Sequence, residues 1–417
     1  MKILVVHQYY LFPGASGGSR FNELARLWSD AGHDVTVVAG TVDYATGQVP
    51  ERYHGRWTTV EQDGPVRVIR CWVPPTYAKG YAGRAGVFAG FTASAATAVL
   101  QAPRPDVIVA TSPPLLAVLP GMFAARRGGG VPWVFEMRDL WPESAITTGV
   151  LAAGSRIAQT LYAIERQAAK DADLINVLTP AFRDDLLRRG LATADKILFV
   201  PNGADVSRFS PGPADPAVRA SFGWGDRFVV MYAGAHGRAN ALDQLVGAAE
   251  RLRDRPDILI ASVGDGPERA RLADLVRQKD LKNLVFHGAR PKDDMPAIVR
   301  ACDVGAAVLQ DNPTFRTVYP NKVFDYMACA RPTLLGIDGV ARQLVVDEAH
   351  AGVFVPPEDP AALAAAIRAL ADDPTRRAAM GASGHAWVHA NATREALATR
   401  YLSALQVLAT RGRHPRR

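Results

Sequence analysis

Cysteine is scarce: Cys71, Cys302 and Cys329 are the only three in 417 residues. An odd, scattered set without metal-ligand spacing argues against a disulfide framework or a zinc site, and for a reducing cytoplasm. No apolar run suits a membrane-spanning helix. The opening MKILVVHQYY has one Lys ahead of a very short apolar run, which reads as a first strand and not a signal peptide. No P-loop and no Gly-x-Ser-x-Gly elbow is present, so those two chemistries find no support. We read no His–Cys cluster, no helix with paired histidines and no Asp-x-Asp stretch at a strand end. No catalytic metal is therefore expected. Nucleic-acid modules, low-complexity arrays and convincing internal repeats are missing too, so nucleic acid is not an expected partner.

What is there starts with length and charge. At 417 residues the chain exceeds one ordinary core, so two domains are the default. The net charge of +7 suits anionic headgroups or phosphorylated small molecules, and a merely soluble basic protein equally well. Part of the excess sits in RGRHPRR, 411–417, expected as a disordered tail.

Short runs rich in Val and Ile alternate with helical patterns. KILVVHQ, DVTVVAG, VRVIRCW, DVIVATS, PWVFEMRD, ADLINVLT and KILFVPN are strand candidates, apolar throughout as in parallel strands covered on both faces. SRFNELARLWSDAG, 19–32, is a helix between two of them. The alternation breaks at 202–223, rich in Pro, Gly and Ser, and restarts with FVVMYAG, ILIASVGDG, LVFHGAR, VGAAVLQ, PTLLGI and GVFVPP. Helices are expected at about 240–253, 268–279, 293–301 and 320–330, and a last one at roughly 385–409. The pattern predicts an α/β protein of two doubly wound, Rossmann-like domains facing across a cleft: residues 1–203, a linker at 204–226, residues 227–384, then a C-terminal helix and basic tail at 385–417.

The most informative stretch is TVYPNKVFDYMACARPTLLG, 317–336, a loop opening into a helix, then a turn and a buried strand. Pro320 is expected as the first helical residue. The amides of Asn321 and Lys322 then point out of the helix start, where an anion is favoured. Lys322 adds a full charge, and Asp325 shares its face of the helix. A diphosphate at the tip with a sugar hydroxyl on Asp325 accounts for both residues; a surface helix with a salt bridge does so as well.

Other segments hold further candidates. HQYYLFPGASGGSRFNELA places Gly14, Gly17 and Gly18 before a helix, without the spacing of the dinucleotide fingerprint. Arg20 there suits an acceptor phosphate or plain solvent. EMRDLWPES, 136–144, follows a buried strand and offers Arg138, Asp139 and Glu143 as cleft residues or as a structural pair. MYAGAHGRANALDQL, 231–245, is a strand, tight turn and helix. Gly234 and Gly237 there permit backbone contact with a phosphate, and Arg238 supplies a planar cation for it. His236 suits the same group or the transferred sugar, or is satisfied by backbone. Asn240 caps or lines the helix start. SVGDGPERARL brings Gly264 in a turn, and HGARPKDD brings Ala289 and Arg290, whose backbone could pair with a base edge.

In order along the chain, these segments resemble glycosyltransferase family four, retaining enzymes of the GT-B fold. The resemblance rests on HQYYLFPGASGGSRFNELARLWSDAGHDVTVVAG, PNGADVSRFSP, GDGPER and FDYMACARPTLL. HQYY, RDLWPES and YPNKVFDYMA resemble most the bacterial branch that adds amino-deoxysugars to surface polysaccharide or lipid-linked oligosaccharide. It implies an acceptor-binding first domain and a second domain that holds a nucleotide-diphosphate sugar, most often a UDP-sugar, with no other cofactor. Tyr319, Asn321 and Lys322 would lie along the diphosphate, and Asp325 stands where the family's glutamate binds the ribose. The partner of that glutamate, eight positions earlier, falls at Thr317, and the usual Arg and Lys of the phosphate turn fall at Ala235 and Asn240. Arg238 and Lys322 are the candidates to replace that charge. The family's first-domain histidine is missing from the aligned TSPPLL, 111–116.

By resemblance the reaction keeps the anomeric configuration, the departing phosphate taking the proton of an acceptor hydroxyl. Asp139, Glu143, His236, Arg238 and Lys322 are the catalytic candidates. The acceptor would be a lipid-linked saccharide or a small molecule. KGYAGRAGVFAGFTASAATAVLQ, 79–101, with Lys79 and Arg84 in front, reads as a helix that covers the first sheet, and the resemblance implies as the alternative a place near a membrane-bound acceptor, with peripheral contact to an anionic membrane. Two rival functions are a sugar-nucleotide epimerase and a silent nucleotide-sugar-binding protein.

Overall fold

The computed structural model describes residues 1–15, 20–43, 46–77 and 80–412. They form two compact units, 1–201 with 395–417 and 202–394. The first unit contains strands β1 (Lys2–Val6), β2 (Asp34–Gly40), β3 (Thr58–Asp63), β4 (Val66–Cys71), β5 (Val107–Ser112), β6 (Trp133–Met137), β7 (Leu174–Val177) and β8 (Ile197–Phe199). The second contains β9 (Phe228–Ala233), β10 (Ile258–Val263), β11 (Leu284–Phe286), β12 (Val304–Val308), β13 (Thr333–Gly336) and β14 (Gly352–Phe354). The sheet orders are β3-β4-β2-β1-β5-β6-β7-β8 and β11-β10-β9-β12-β13-β14.

The expected apolar runs form the parallel ladders, and strands such as β5 and β10 are buried along their whole length because helices cover both faces. Between them, helix Arg20–Asp30 buries Phe21, Leu24, Ala25 and Trp28, one stripe at helical spacing. The exception is β3, which sequence reading did not include. TTVEQD is half polar, lies at the sheet edge and pairs antiparallel with β4 through a turn at Gly64. In each sheet the winding reverses beside the first strand, between β1 and β5 and between β9 and β12. Ligands of open α/β sheets sit at the strand ends of such a reversal.

Three expectations are corrected. The stretch 204–226 carries helix Pro216–Ser221, started by Asp215, and the wholly buried Trp224, so it is folded chain of the second unit. The last helix is two, Pro374–Asn391 and Arg394–Gly412. They break where Thr393 forms a bridge with Ala204 and the chain passes from the second unit to the first. Pro320 is the cap and not the first helical residue: its ψ of 127° is extended, and the helix runs Asn321–Ala328.

The first unit also encloses an ionic cluster. Arg20 is buried, neither solvated nor open to a phosphate. Its Nε donates to Glu136 at 2.8 Å and its other nitrogens donate to the carbonyls of Val200 and Pro201. The second oxygen of Glu136 accepts from Asn176 Nδ2 at 2.7 Å and from the Tyr401 hydroxyl at 2.9 Å. Three side chains from distant stretches thus satisfy one buried carboxylate.

Candidate functional site

At the reversal between β9 and β12, the turn after β9 meets the start of the helix that follows β12. Gly234 follows β9 at φ +142°, in the region glycine favours. A methyl group on it would meet the Lys322 Nζ at 3.1 Å. The missing side chain is what lets that ammonium sit against the turn. Nζ also lies 3.8 Å from the centre of the Tyr232 ring, over its face. Burial pulls the Lys322 ammonium down to about 7. Lys322 is the second residue of the helix, whose first amides have no acceptor inside it. Lysine, helix start and glycine turn therefore form one anion-favouring corner.

The glycine amides do not contribute to it as expected. Gly234 N donates to the Val263 carbonyl, His236 N to Asp265 and Gly237 N to Asn240 Oδ1. Those donors are used in joining the turn after β9 to the turn after β10 and in capping the short helix at Arg238–Asn240. Gly264 and Gly266 are glycines for the same reason. Added methyls would stand 1.9 Å from the Gly234 oxygen and 2.6 Å from the His236 oxygen. Gly264→Ala is expected to push the turns apart, lowering stability by about 1–3 kcal/mol in urea unfolding and weakening nucleotide binding.

His236 turns inward. Its ring is fully buried, Nε2 lies 2.6 Å from Ser262 Oγ, and burial lowers its pKa. Its Nδ1 is buried with no hydrogen-bond partner among the described residues. Arg238 is the reverse, 90 % exposed, with Glu268 as a distant partner at 3.9 Å. Ala289 and Arg290 are exposed after β11, and the Arg290 guanidinium lies over Phe222 at 4.8 Å. Phe222 packs on His287, and Trp224 Nε1 donates to that histidine at 3.0 Å. Tyr319 is half-buried against Phe324, and Asn321 Oδ1 accepts from Asn202. Asp325 is half-buried one turn along the helix from Lys322.

Two supporting residues are absent from the sequence reading. The Tyr326 hydroxyl accepts from the Ala233 amide at 3.0 Å, and the Tyr232 hydroxyl donates to the Ala235 carbonyl at 2.8 Å. Tyr326 stands four residues after Lys322, a helical spacing that could have flagged it.

In the first unit, Asp139 is held in the loop after β6, where burial raises its carboxyl pKa while Ser144, the Leu140 amide and Arg138 oppose the rise. Glu143 is exposed and accepts from the Tyr162 hydroxyl at 2.5 Å. His7, at the end of β1, is buried on Thr111 Oγ1 at 2.8 Å. Burial, then Arg138, Arg20 and Arg70, keep it neutral. Gly17, Gly18 and Lys79 lie outside the described residues.

Among the described residues no three His, Cys, Asp or Glu side chains are grouped as metal ligands. None of their helices is long and apolar enough to cross a membrane. One motif does need correction: His385 and His389 stand one turn apart on helix Pro374–Asn391, a paired-histidine helix after all.

Comparison with known proteins agrees with this architecture. Residues 17–203 match the family described as Glycosyl transferase 4-like domain, and residues 227–373 match Glycosyl transferases group 1. The chain is 28% identical to WcaI of Escherichia coli, a glycosyl transferase named for colanic acid biosynthesis, over 88% of this chain and 91% of that protein. It is 35% identical to the D-inositol 3-phosphate glycosyltransferase of Kineococcus radiotolerans over 69% of each. Among solved structures, Anabaena HepE in complex with UDP and glucose superposes with a TM-score of 0.72 at 21% identity, covering 97% of this chain and 99% of that one. The chain belongs to the family-four glycosyltransferases and has their two-unit GT-B fold.

Proposed function

We propose that this glycosyltransferase takes a UDP-sugar as donor and passes the sugar to an acceptor hydroxyl with retention of configuration, in the assembly of a polysaccharide or glycoconjugate. The observation that carries the donor assignment is the desolvated Lys322 ammonium at a helix start beside Gly234. The UDP complex of HepE and the name of WcaI support the nucleotide and the setting.

Lys322 neutralises the diphosphate, helped by Arg238 from the opposite turn, while Tyr319 and Asn321 line it. Asp325 accepts from the ribose hydroxyls, and the backbone at Ala289 and Arg290 meets the base. As the bond to the sugar breaks, charge grows on the leaving phosphate, and fixed cations stabilise that charge more than the ground state's. The leaving oxygen accepts the proton of the attacking hydroxyl. Asp139 and Glu143 serve the acceptor side, with peripheral contact to an anionic cytoplasmic membrane face as the setting for a lipid-linked acceptor.

A thermal-shift series with UDP, GDP, ADP and TDP tests the base, since a ligand present at a hundred times its Kd stabilises by about 2.7 kcal/mol. Incubation with donor sugars tests the reaction. Acceptor-dependent release of nucleotide supports transfer; a changed sugar without acceptor makes the chain an epimerase; binding without turnover makes it a silent receptor. Arg238→Ala is expected to lower kcat by roughly tenfold to a hundredfold, as for a cation felt most by the departing phosphate. Its donor KM should change little, as steady-state kinetics will read.

A further inference from the structure

The paired histidines lie outside the donor corner. Their ring centroids are 4.3 Å apart, with the planes at 61°. His385 Nδ1 lies 3.0 Å from the Ala328 carbonyl oxygen. A carbonyl only accepts, so Nδ1 donates, and in the neutral ring Nε2 then keeps the lone pair. A backbone oxygen that fixes one ring nitrogen and leaves the other to coordinate is the outer-shell arrangement of metal-bound histidine. His389 is exposed and four residues on, a spacing that places both rings on one side of the helix.

We propose that His385 and His389 chelate one divalent cation of the nickel, copper or zinc kind, through Nε2 of His385 and a ring nitrogen of His389. Imidazole suits these ions, whereas magnesium and calcium take oxygen ligands. No third His, Cys, Asp or Glu joins the pair among the described residues. Water completes the coordination and the ion exchanges readily.

The location gives the ion a structural consequence. Ala328 ends the helix that begins with Asn321 and Lys322. The histidine helix packs closely on that end: methyls added to Gly381 and Gly384 would stand 2.2 Å from the Ala330 oxygen and 2.9 Å from Met327 Cγ. An ion on the pair fixes the His385 ring, and with it the contact to the rear of the helix whose front carries the donor lysine. This inference is independent of the sugar-transfer reading.

The test uses the full-length chain freed of any affinity tag and titrated calorimetrically with nickel chloride. One ion per chain is expected, with His389→Ala and His385→Ala each weakening it by at least about tenfold. His350→Ala is the matched control: that exposed histidine also has Nδ1 on a carbonyl, 3.1 Å from Val346, but no histidine four residues away. It should leave binding unchanged. Since His389 is exposed, its variant is expected to fold, and it decides the case. With cupric ion, the spin-resonance spectrum should show two coordinated nitrogens in the parent and one in His389→Ala. No uptake at millimolar nickel, or equal affinity in His389→Ala, overturns the proposal.

Discussion

Replacing Lys322 by methionine is expected to make the ligand-free protein more stable and nearly blind to nucleoside diphosphates. Both effects come from one cause. The ammonium sits against Tyr232 and Gly234 with no ion pair to a carboxylate among the described residues, so burial makes its charge unfavourable in the ligand-free protein. Methionine keeps the length and removes the charge. Loss of one member of a desolvated charge pair weakens binding by about 2–5 kcal/mol, roughly thirtyfold or more. A residue that merely supported the fold would show the opposite sign in the ligand-free protein. Urea unfolding and calorimetric titration with UDP read the two halves separately.

The same residue sets a pH dependence. In the folded chain Lys322 releases its proton near 7; unfolded, it does so near the ordinary lysine value of about 10.4. Between those values the unfolded state holds more protons, so this group makes stability rise with pH across that window and adds nothing further above it. Below about 7 both states are charged and the burial penalty is felt in full. Binding runs the other way. A diphosphate needs the ammonium, so at pH 8 to 9 the complex should take up close to one proton, seen as a buffer-dependent heat. Lys322→Met should abolish that uptake. An identical proton count in parent and variant would remove Lys322 from the site.

The second large effect belongs to the first unit. Glu136→Ala is expected to destabilise the protein by about 3–5 kcal/mol, because it leaves the Arg20 guanidinium buried without its carboxylate. Tyr401→Phe removes one hydrogen bond to the same carboxylate and should lose about 1.5–3 kcal/mol. The double variant should lose less than the sum, since the tyrosine's bond no longer exists once Glu136 is gone. Chemical unfolding followed by tryptophan fluorescence measures all three; Trp28, packed on Tyr401 with ring centroids 5.3 Å apart, is a local reporter. Additive losses would mean that the two side chains do not act as one cluster.

The sequence made the strands of both sheets readable because burial on two faces leaves an unmistakable apolar run, as in VIVATS of β5. It hid β3, whose TTVEQD is half polar because an edge strand meets solvent. Arg20 misleads for a different reason: a cation at a helix start reads as solvated, and the carboxylate that draws it inside lies 116 residues further along. At the corner beside Gly234, Lys322 was legible from its place at the helix start, whereas its contact with Tyr232, a residue of strand β9, was not. The glycines of AGAHG and GDG were legible as turns. That their amides join the turns to each other could not be read, since it follows from how β9 and β10 end side by side. The spacing in HAWVH was open to view, but four residues mean one face only once a helix there is established.

The order of the chain has a consequence for synthesis. The first unit is interrupted by the whole of the second and completed only by residues after 394. On the ribosome, all of residues 202–394 must be made before the residues that complete the first unit, so that unit cannot close until the chain is nearly finished. Until then Glu136 has Arg20 and Asn176 but not its tyrosine. A chain truncated just short of that residue therefore has the whole insert but an unfinished host.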